Sequence, residues 1–98
     1  MISFEWDENK ARVNLAKHGV SFQEATGVFY DPYARIIEDP DHSLDEERFV
    51  ILGVSRRARE LAVCHCLRGA SGEKVRIISA RKATRSESEQ YWRYVHEG

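Results

Sequence analysis

The sequence has no apolar run approaching the roughly 18 residues that a membrane span requires, and its N-terminus does not resemble a signal peptide. It also lacks internal repeats, low-complexity tracts and linker-like segments, which predicts one domain over residues 1–98. Apolar residues make up 42% of the chain, a proportion typical of a folded domain and too high for a disordered one. We therefore expect a soluble, cytoplasmic, single-domain protein.

Several catalytic motifs are missing as well, and each absence removes a class of chemistry. The patterns GxxxxGK[ST], GxGxxG, HExxH and GxSxG do not occur, so the usual sites for nucleoside triphosphates, dinucleotides, zincin metals and ester hydrolysis are not predicted. The two cysteines, Cys64 and Cys66, flank His65 in a strand-like run, which suits small buried side chains better than a zinc site or a disulfide. We expect no metal ion and no cofactor.

Charge is unevenly distributed along the chain, although the net charge is only −1. Residues 31–47 contain seven acidic residues and one arginine, whereas residues 55–85 contain nine basic residues and two glutamates. Such asymmetry separates an acidic surface from a cationic surface and favours an anionic ligand. Two faces that neutralise each other within one small fold are the ordinary alternative.

Apolar periodicity and helix-capping signals predict the element order β-α-α-β-β-β-β-α. We expect the first helix to extend to His18 and to end at Gly19. Two S/T-x-x-E capping boxes, whose acidic residues are Glu24 and Glu87, indicate the starts of the second and third helices. The predicted N-cap residues are Asp7, Ser21 and Thr84. The predicted strands cover residues 2–6, 33–38, 48–55, 61–67 and 75–82.

This order predicts an α+β fold in which two N-terminal helices and one C-terminal helix pack on an antiparallel β-meander. The connections between the later strands are too short for the crossovers of a parallel sheet. In the last helix we expect Trp92 to cover the sheet, whereas Tyr94 could join the core or contact another chain.

The run DPDHSLDEERF, residues 39–49, is the densest group of chemistry-bearing residues. His42, Glu47 and Arg48 place an imidazole, a carboxylate and a guanidinium at a junction between a loop and a strand. Metal-free cleavage of a phosphodiester needs this combination of groups. A solvated acidic turn is the alternative, and this run by itself favours the turn.

The first helix carries a polar stripe, because Lys10, Asn14, Lys17 and His18 follow the spacing i, i+4, i+7 and i+8. Lys17 and His18 lie in the last turn, where the helix dipole favours positive charge and would hold His18 protonated, ready to donate a proton or to bind phosphate. A solvated helix face with a cation at its C-terminus would explain the same pattern.

Three arginines lie near the end of the predicted sheet. Arg76 and Arg81 lie within the apolar strand 75–82, and Arg85 lies at the start of the last helix. Arginine in such a strand is unfavourable unless it is paired or faces a groove. Together with free N–H groups at the helix start, these side chains could hold a phosphate. A structural ion pair from Arg76 or Arg81 to Glu47 is an equally good alternative.

Three segments together resemble the BrnT toxins: FEWDENKARVNLAKHGVSFQEA, DPDHSLDEERFVILGVS and RIISARKATRSESEQYW. The most specific parts are W-D-x-x-K with K-H-G, and R-I-I-S-A-R. BrnT proteins are the ribonuclease half of bacterial type II toxin–antitoxin pairs and are similar in fold to the RelE toxins. The family's polar positions correspond here to Lys17, His18, His42, Glu47, Arg48 and Arg81.

The resemblance implies a RelE-like domain that cleaves RNA and so blocks translation and growth. It also implies a BrnA-like antitoxin, a ribbon-helix-helix protein that would bind the operator DNA, so that this chain would meet DNA only through its partner. We predict a metal-independent endoribonuclease in which the 2′-OH of the RNA attacks the phosphate. The predicted catalytic residues are His18, His42, Glu47, Arg48 and Arg81. The predicted substrate-binding residues are Lys17, Arg76 and Arg85.

The individual roles stay open at this point. Glu47 or His42 would remove the proton, the arginines would stabilise charge on the phosphate, and His18 or Lys17 would assist the leaving oxygen. A non-catalytic module that docks a charged protein partner is the competing hypothesis. DNA binding by this chain alone is less favoured, because no predicted helix has a clustered basic face.

Overall fold

Helices cover both faces of one β-sheet in the structure, a computed structural model that describes residues 2–38 and 47–97. His42 therefore lies outside the described residues. The helices and strands are β1 (Ser3–Glu5), α1 (Glu8–His18), α2 (Phe22–Thr26), a 3₁₀ helix (Gly27–Tyr30), β2 (Arg35–Glu38), β3 (Phe49–Val54), β4 (Glu60–Arg68), β5 (Lys74–Lys82) and α3 (Arg85–Glu97). The structure thus contains three α-helices and five strands, as predicted, together with a 3₁₀ helix that was not predicted. No helix in the described part of the chain is long and apolar enough to cross a membrane.

The sheet has the strand order β1-β5-β4-β3-β2, in which β2 to β5 form the predicted antiparallel meander. The prediction of a wholly antiparallel sheet is wrong at one edge, because β1 pairs with β5 in parallel, from Ser3 opposite Lys74 to Glu5 opposite Arg76. A short connection does not limit this pairing, since α1, α2 and three strands lie between β1 and β5 in the chain. The fold is α+β with a mixed five-stranded sheet.

Two apolar clusters lie on the two faces of the sheet. The larger cluster contains residues of α2 and the 3₁₀ helix, and its largest buried side chains are Phe22, Leu61 and Ile77. In the smaller cluster Tyr91 of α3 packs on the sheet beside Leu52. The expectation that Trp92 covers the sheet is wrong: Tyr91 occupies that position, and Trp92 and Tyr94 are each 41% exposed.

Helix α1 begins and ends where the sequence predicts. The Asp7 carboxylate accepts hydrogen bonds from the N–H groups of Asn9 at 2.8 Å and Lys10 at 3.0 Å. Gly19 ends the helix in the left-handed conformation, with φ of 69°, and donates its N–H to the carbonyl of Leu15 at 2.9 Å. The backbone bond from Lys10 is the main cause that lowers the pKa of Asp7, so this cap is formed by the ionised carboxylate.

The two predicted capping boxes have different outcomes. In α3 the box is reciprocal: Glu87 donates its N–H to Thr84 Oγ1 at 3.2 Å, and Thr84 donates its N–H to Glu87 Oε1 at 2.8 Å. In α2 only the Ser21 half forms, with Oγ accepting the N–H of Glu24 at 3.0 Å. The Glu24 carboxylate instead enters the protein interior and accepts a hydrogen bond from Arg59 Nε at 2.9 Å.

A buried side-chain amide joins α1 to the edge of the sheet. Asn14 is 6% exposed, and its Nδ2 donates to the carbonyl of Ala80 at 2.8 Å and to that of Val20 at 2.9 Å. Its Oδ1 accepts the N–H of Ala80 at 3.1 Å. The amide thus satisfies both polar groups of one edge residue of β5, as a neighbouring strand would.

Replacing Asn14 by Leu should lower the free energy of unfolding by about 3 kcal/mol, because the N–H and C=O of Ala80 would lose their buried partner. Urea denaturation followed by circular dichroism measures this change. Asn9→Ala, at an exposed position of the same helix, is the matched control and should change stability by less than about 0.5 kcal/mol. Equal effects of the two substitutions would contradict the proposed edge contact.

His65 is a buried imidazole in β4, only 3% exposed, with its ring centroid 4.9 Å from that of Phe29 and 5.9 Å from that of Phe49. Burial lowers the pKa of His65 below its ordinary value, and the contact with the carbonyl of Val63 only partly opposes this effect. The folded protein therefore favours the neutral ring.

Stability should consequently fall as the pH drops below about 6.5, because the unfolded chain then binds a proton at residue 65 that the folded chain excludes. Above that pH the contribution is complete. The urea concentration at the midpoint of unfolding, measured between about pH 7.5 and 5.5, tests this prediction. Aspartate and glutamate side chains titrate below this pH range, so they contribute little to the change. His65→Phe should flatten the pH dependence, and an unchanged slope in that variant would assign the effect to another group.

Candidate active site

A concavity of about 340 Å³ opens between α1 and the edge of β5. Helix α1 supplies most of its wall, since residues three, four and seven apart lie on one side of a helix. The lining residues are Asn9, Lys10, Val13, Asn14, Lys17, His18, Ile78 and Ser79. The predicted polar stripe of α1 is thereby confirmed as a single surface, and that surface faces a cavity.

Lys10 and Lys17 make this concavity cationic, His18 adds an imidazole, and no carboxylate is among its lining residues. Within residues 2–38 and 47–97, none of the three takes part in an ion pair. Asp7, three residues before Lys10, is engaged in capping the helix. Ammonium groups bind phosphate oxygens, and an imidazole can transfer protons near neutral pH, so the surface suits a phosphodiester.

The β5 wall of the concavity results from an irregularity in the sheet. Cys64 pairs with Ser79 and His65 pairs with Ile77, so Ile78 is an extra residue in β5. This bulge lets the consecutive residues Ile78 and Ser79 both line the cavity. Sequence alternation contains no sign of such a bulge, which is why Ser79 was not predicted as a site residue.

Lys10 is a second residue that was not predicted for the site. Lys10 belongs to the polar stripe of α1, but the sequence pattern gives it no role beyond that stripe. The sequence does contain a signal for its place in the site: Lys10 lies seven residues, or two helical turns, before Lys17 and therefore on the same face of α1.

Glu47 lies in a different place from Lys17 and His18. A second concavity of about 190 Å³ is lined by Glu47, Phe49, Cys66, Leu67 and Arg68, at the start of β3. Phe49 of β3 pairs with His65 of β4, whereas Arg81 of β5 pairs with Ala62 of β4, three residues away from His65. Glu47 lies two residues before Phe49 and so adds to this separation. Glu47 and Arg81 are therefore about five strand residues, roughly 16 Å, apart along the strand direction. The structure therefore does not bring Glu47 together with His18 or Arg81. Half-buried Arg48 lies beside Glu47 in the chain.

Arg81 is close to the first concavity in the chain but is held by α3. It follows Ser79 by two residues, and its Nη1 and Nη2 donate to Glu87 Oε1 at 2.6 Å and Oε2 at 3.0 Å. This bidentate bond is the main cause that lowers the pKa of Glu87. The alternative of an ion pair between Arg81 and Glu47 is thus replaced by a pair with Glu87.

The other two arginines also have acidic partners. Arg76 Nη1 donates to Glu5 Oε2 at 2.9 Å, which links β5 to the parallel strand β1. Arg85 is 94% exposed and its Nε lies 3.4 Å from Glu89 Oε1, one turn further along α3. Neither arginine lines the concavity beside α1, so the substrate-binding roles predicted for them stay predictions.

No group of three or more His, Cys, Asp or Glu side chains among the described residues is arranged to hold a metal ion. Cys66 is 2% exposed, as expected for a small buried side chain, whereas Cys64 is only partly buried and packs against the cluster under α3. Neither cysteine belongs to a disulfide.

A protein family and a solved structure that match this chain agree with each other. The family described as "Ribonuclease toxin, BrnT, of type II toxin-antitoxin system" matches residues 6–87, a range that includes both walls of the cationic concavity. Among solved structures, the chain is similar to the Brucella abortus ribonuclease toxin BrnT, with 25% identity and a TM-score of 0.64. That match covers 87% of this chain and 100% of the Brucella chain. No curated protein matches.

The bond between Arg81 and Glu87 should stabilise the junction of β5 with α3. Glu87→Gln and Arg81→Ala should each lower the free energy of unfolding by about 1 kcal/mol, and the double variant should cost less than the sum of the two. Urea denaturation of the four proteins measures this coupling. Arg85→Ala, which removes an arginine with a 94% exposed side chain, should have almost no effect. Additive effects of the two substitutions would show that the pair is not formed in solution.

Proposed function

Because the chain belongs to the BrnT family of ribonuclease toxins of type II toxin–antitoxin systems, we propose that the concavity between α1 and β5 is the active site of a metal-independent, RelE-like endoribonuclease. The observation that carries this assignment is the convergence of Lys10, Lys17 and His18 on one surface that no carboxylate lines. A polyanionic RNA backbone suits such a surface. Cleavage of RNA would stop translation and growth.

The chemistry needs no nucleophile from the protein. The 2′-oxygen of the RNA attacks the adjacent phosphorus, and the bond from phosphorus to the 5′-oxygen of the next nucleotide breaks. The products are a 2′,3′-cyclic phosphate and a 5′-hydroxyl. The protein accepts a proton from the 2′-hydroxyl and donates one to the leaving 5′-oxygen, and His18 serves one of these transfers. The ammonium groups of Lys10 and Lys17 stabilise the charge that develops on the phosphate.

The remaining predicted residues differ in how they relate to this site. Arg81 is adjacent to the β5 wall and would reach the phosphate if its bond to Glu87 opened. Glu47 and Arg48 would act only if RNA extended to the start of β3. His42 stays a predicted proton acceptor, since it lies outside the described residues.

A type II system implies a cognate antitoxin for this chain. On this proposal the antitoxin is a BrnA-like ribbon-helix-helix protein, both proteins act in the cytoplasm, and operator DNA is bound by the antitoxin. The exposed aromatic side chains Trp92 and Tyr94 of α3 are available for contact with another chain. They are also the observation that favours the alternative function, a non-catalytic module that docks a protein partner.

Substituting His18 should separate catalysis from folding. His18→Gln is expected to slow cleavage of purified RNA by about 100-fold or more, because one proton transfer is lost, while the melting temperature stays unchanged. Gel analysis of total RNA incubated with the purified protein, with and without EDTA, measures the rate and tests for a metal requirement. His96→Gln, the same change at an exposed position of α3, is the control.

Three outcomes would argue against the proposal. Intact RNA at high concentrations of the wild-type protein would favour the docking module. Loss of cleavage in EDTA would contradict metal independence. Full activity of His18→Gln together with an inactive Glu47→Gln variant would move the active site to the concavity at the start of β3.

A further inference from the structure

The turn between β3 and β4, residues 55–59, is held in one conformation by its own hydrogen bonds. Ser55 donates its N–H to the carbonyl of Arg59, and Ala58 donates its N–H to the carbonyl of Ser55, both at 2.9 Å. The Ser55 hydroxyl oxygen also accepts the N–H groups of Arg57 at 3.2 Å and Arg59 at 3.3 Å. Ala58 has a φ of 59°, a left-handed conformation that is unfavourable for alanine and persists only where the surrounding structure fixes it.

A buried carboxylate attaches this turn to the protein. Glu24 is 9% exposed and accepts a hydrogen bond from the Ser55 hydroxyl at 2.7 Å and from Arg59 Nε at 2.9 Å. The bond with Arg59 is the main cause that lowers the pKa of Glu24, so the buried carboxylate is ionised and pairs with a guanidinium whose side chain is 25% exposed. Arg59 Nη2 also donates to the carbonyl of Gly19 at 3.0 Å, the residue that directly follows His18.

The turn therefore lies against the end of α1 that supplies Lys17 and His18 to the cationic concavity. Its two remaining arginines are exposed: the Arg57 side chain is 73% exposed and its Nη1 is 3.9 Å from Glu24, while the stem of Arg56 covers Gly27. Because Glu24 is already neutralised by Arg59, both guanidinium groups add positive charge to the surface of this turn.

We infer that Arg56 and Arg57 form a second phosphate-binding site, which holds the RNA strand beyond the nucleotides that occupy the concavity. This inference rests on the proposed nuclease function and adds a binding surface that the catalytic proposal does not need. Guanidinium groups bind phosphate in a bidentate manner, and a rigid turn loses little conformational freedom when it binds.

The composition of this surface favours RNA over a protein partner. Protein interfaces have an apolar centre, whereas none of the large exposed apolar side chains in the described part of the chain lies in the turn. These side chains are Val13, Leu15, Tyr30, Tyr33, Ile36, Leu67, Trp92 and Tyr94. Two exposed guanidinium groups on a turn whose backbone is held by hydrogen bonds suit the phosphates of a single strand.

The test uses a double variant, Arg56→Gln with Arg57→Gln, and a fluorescent single-stranded 2′-O-methyl RNA that has no free 2′-hydroxyl and so cannot be cleaved. Anisotropy titrations over a range of salt concentrations should give a Kd about tenfold higher for the variant than for the wild-type protein. The slope of log Kd against log salt concentration should be smaller by about 1.4, because each phosphate contact to a single strand contributes about 0.7 and two contacts are lost. With cleavable RNA the variant should show a raised KM and an unchanged kcat.

The control is Lys74→Gln with Arg93→Gln, which removes the same charge from exposed positions outside the turn and the concavity. If the two double variants have the same Kd and salt slope, the inference is overturned, even when the wild-type protein cleaves RNA. Wild-type RNA affinity in the turn variant, combined with loss of antitoxin binding, would also overturn it and assign the turn to the protein partner. If the wild-type protein binds RNA through these two arginines but does not cleave it, the inference is supported and the proposed nuclease function is contradicted.

Discussion

The hydrogen bonds between Asn14 and the edge of β5 are the contact on which the candidate site depends. An exposed strand edge must find partners for its N–H and C=O groups, and here a side-chain amide supplies them at Ala80. The same amide fixes the distance and the rotation of α1 relative to the sheet. Lys10, Lys17 and His18 are brought to the rim of β5 only because the middle of their helix is anchored there. Structure and proposed chemistry thus share one buried polar contact.

The location of positive charge follows from the way the acidic residues are engaged. Asp7 caps α1, the buried Glu24 binds Arg59, and Glu87 binds Arg81 while capping α3. Each of these carboxylates has a lowered pKa caused mainly by the donors it binds. Acids that are committed to internal contacts do not compete with an anionic ligand for the lysines of α1. A chain of net charge −1 can therefore present a cationic surface without an excess of basic residues.

Local features were predictable from the sequence, whereas features that depend on distant contacts were not. The caps Asp7 and Gly19 and the stripe of α1 follow from spacing along the chain, and the structure confirms them. The side chain of Glu24 binds Arg59, 35 residues away, instead of completing the capping box. The bulge at Ile78 and the parallel pairing of β1 depend on strand register, which local periodicity does not encode. The predicted meeting of Glu47 with Arg81 failed for the same reason.

The short length of β1 explains why a concavity exists at this edge. Strand β1 pairs only with residues 74–76 of β5 and ends at Glu5, so the edge beyond residue 76 is left to α1. A longer β1 would have paired with Ala80 itself and displaced Asn14. A helix fills such an edge less completely than a strand does. Helix α1 contacts the backbone of β5 through the side chain of Asn14 and leaves space on either side of that side chain. The cavity lined by Ile78 and Ser79 is that space, and its position next to the basic end of α1 follows from the three residues of β1.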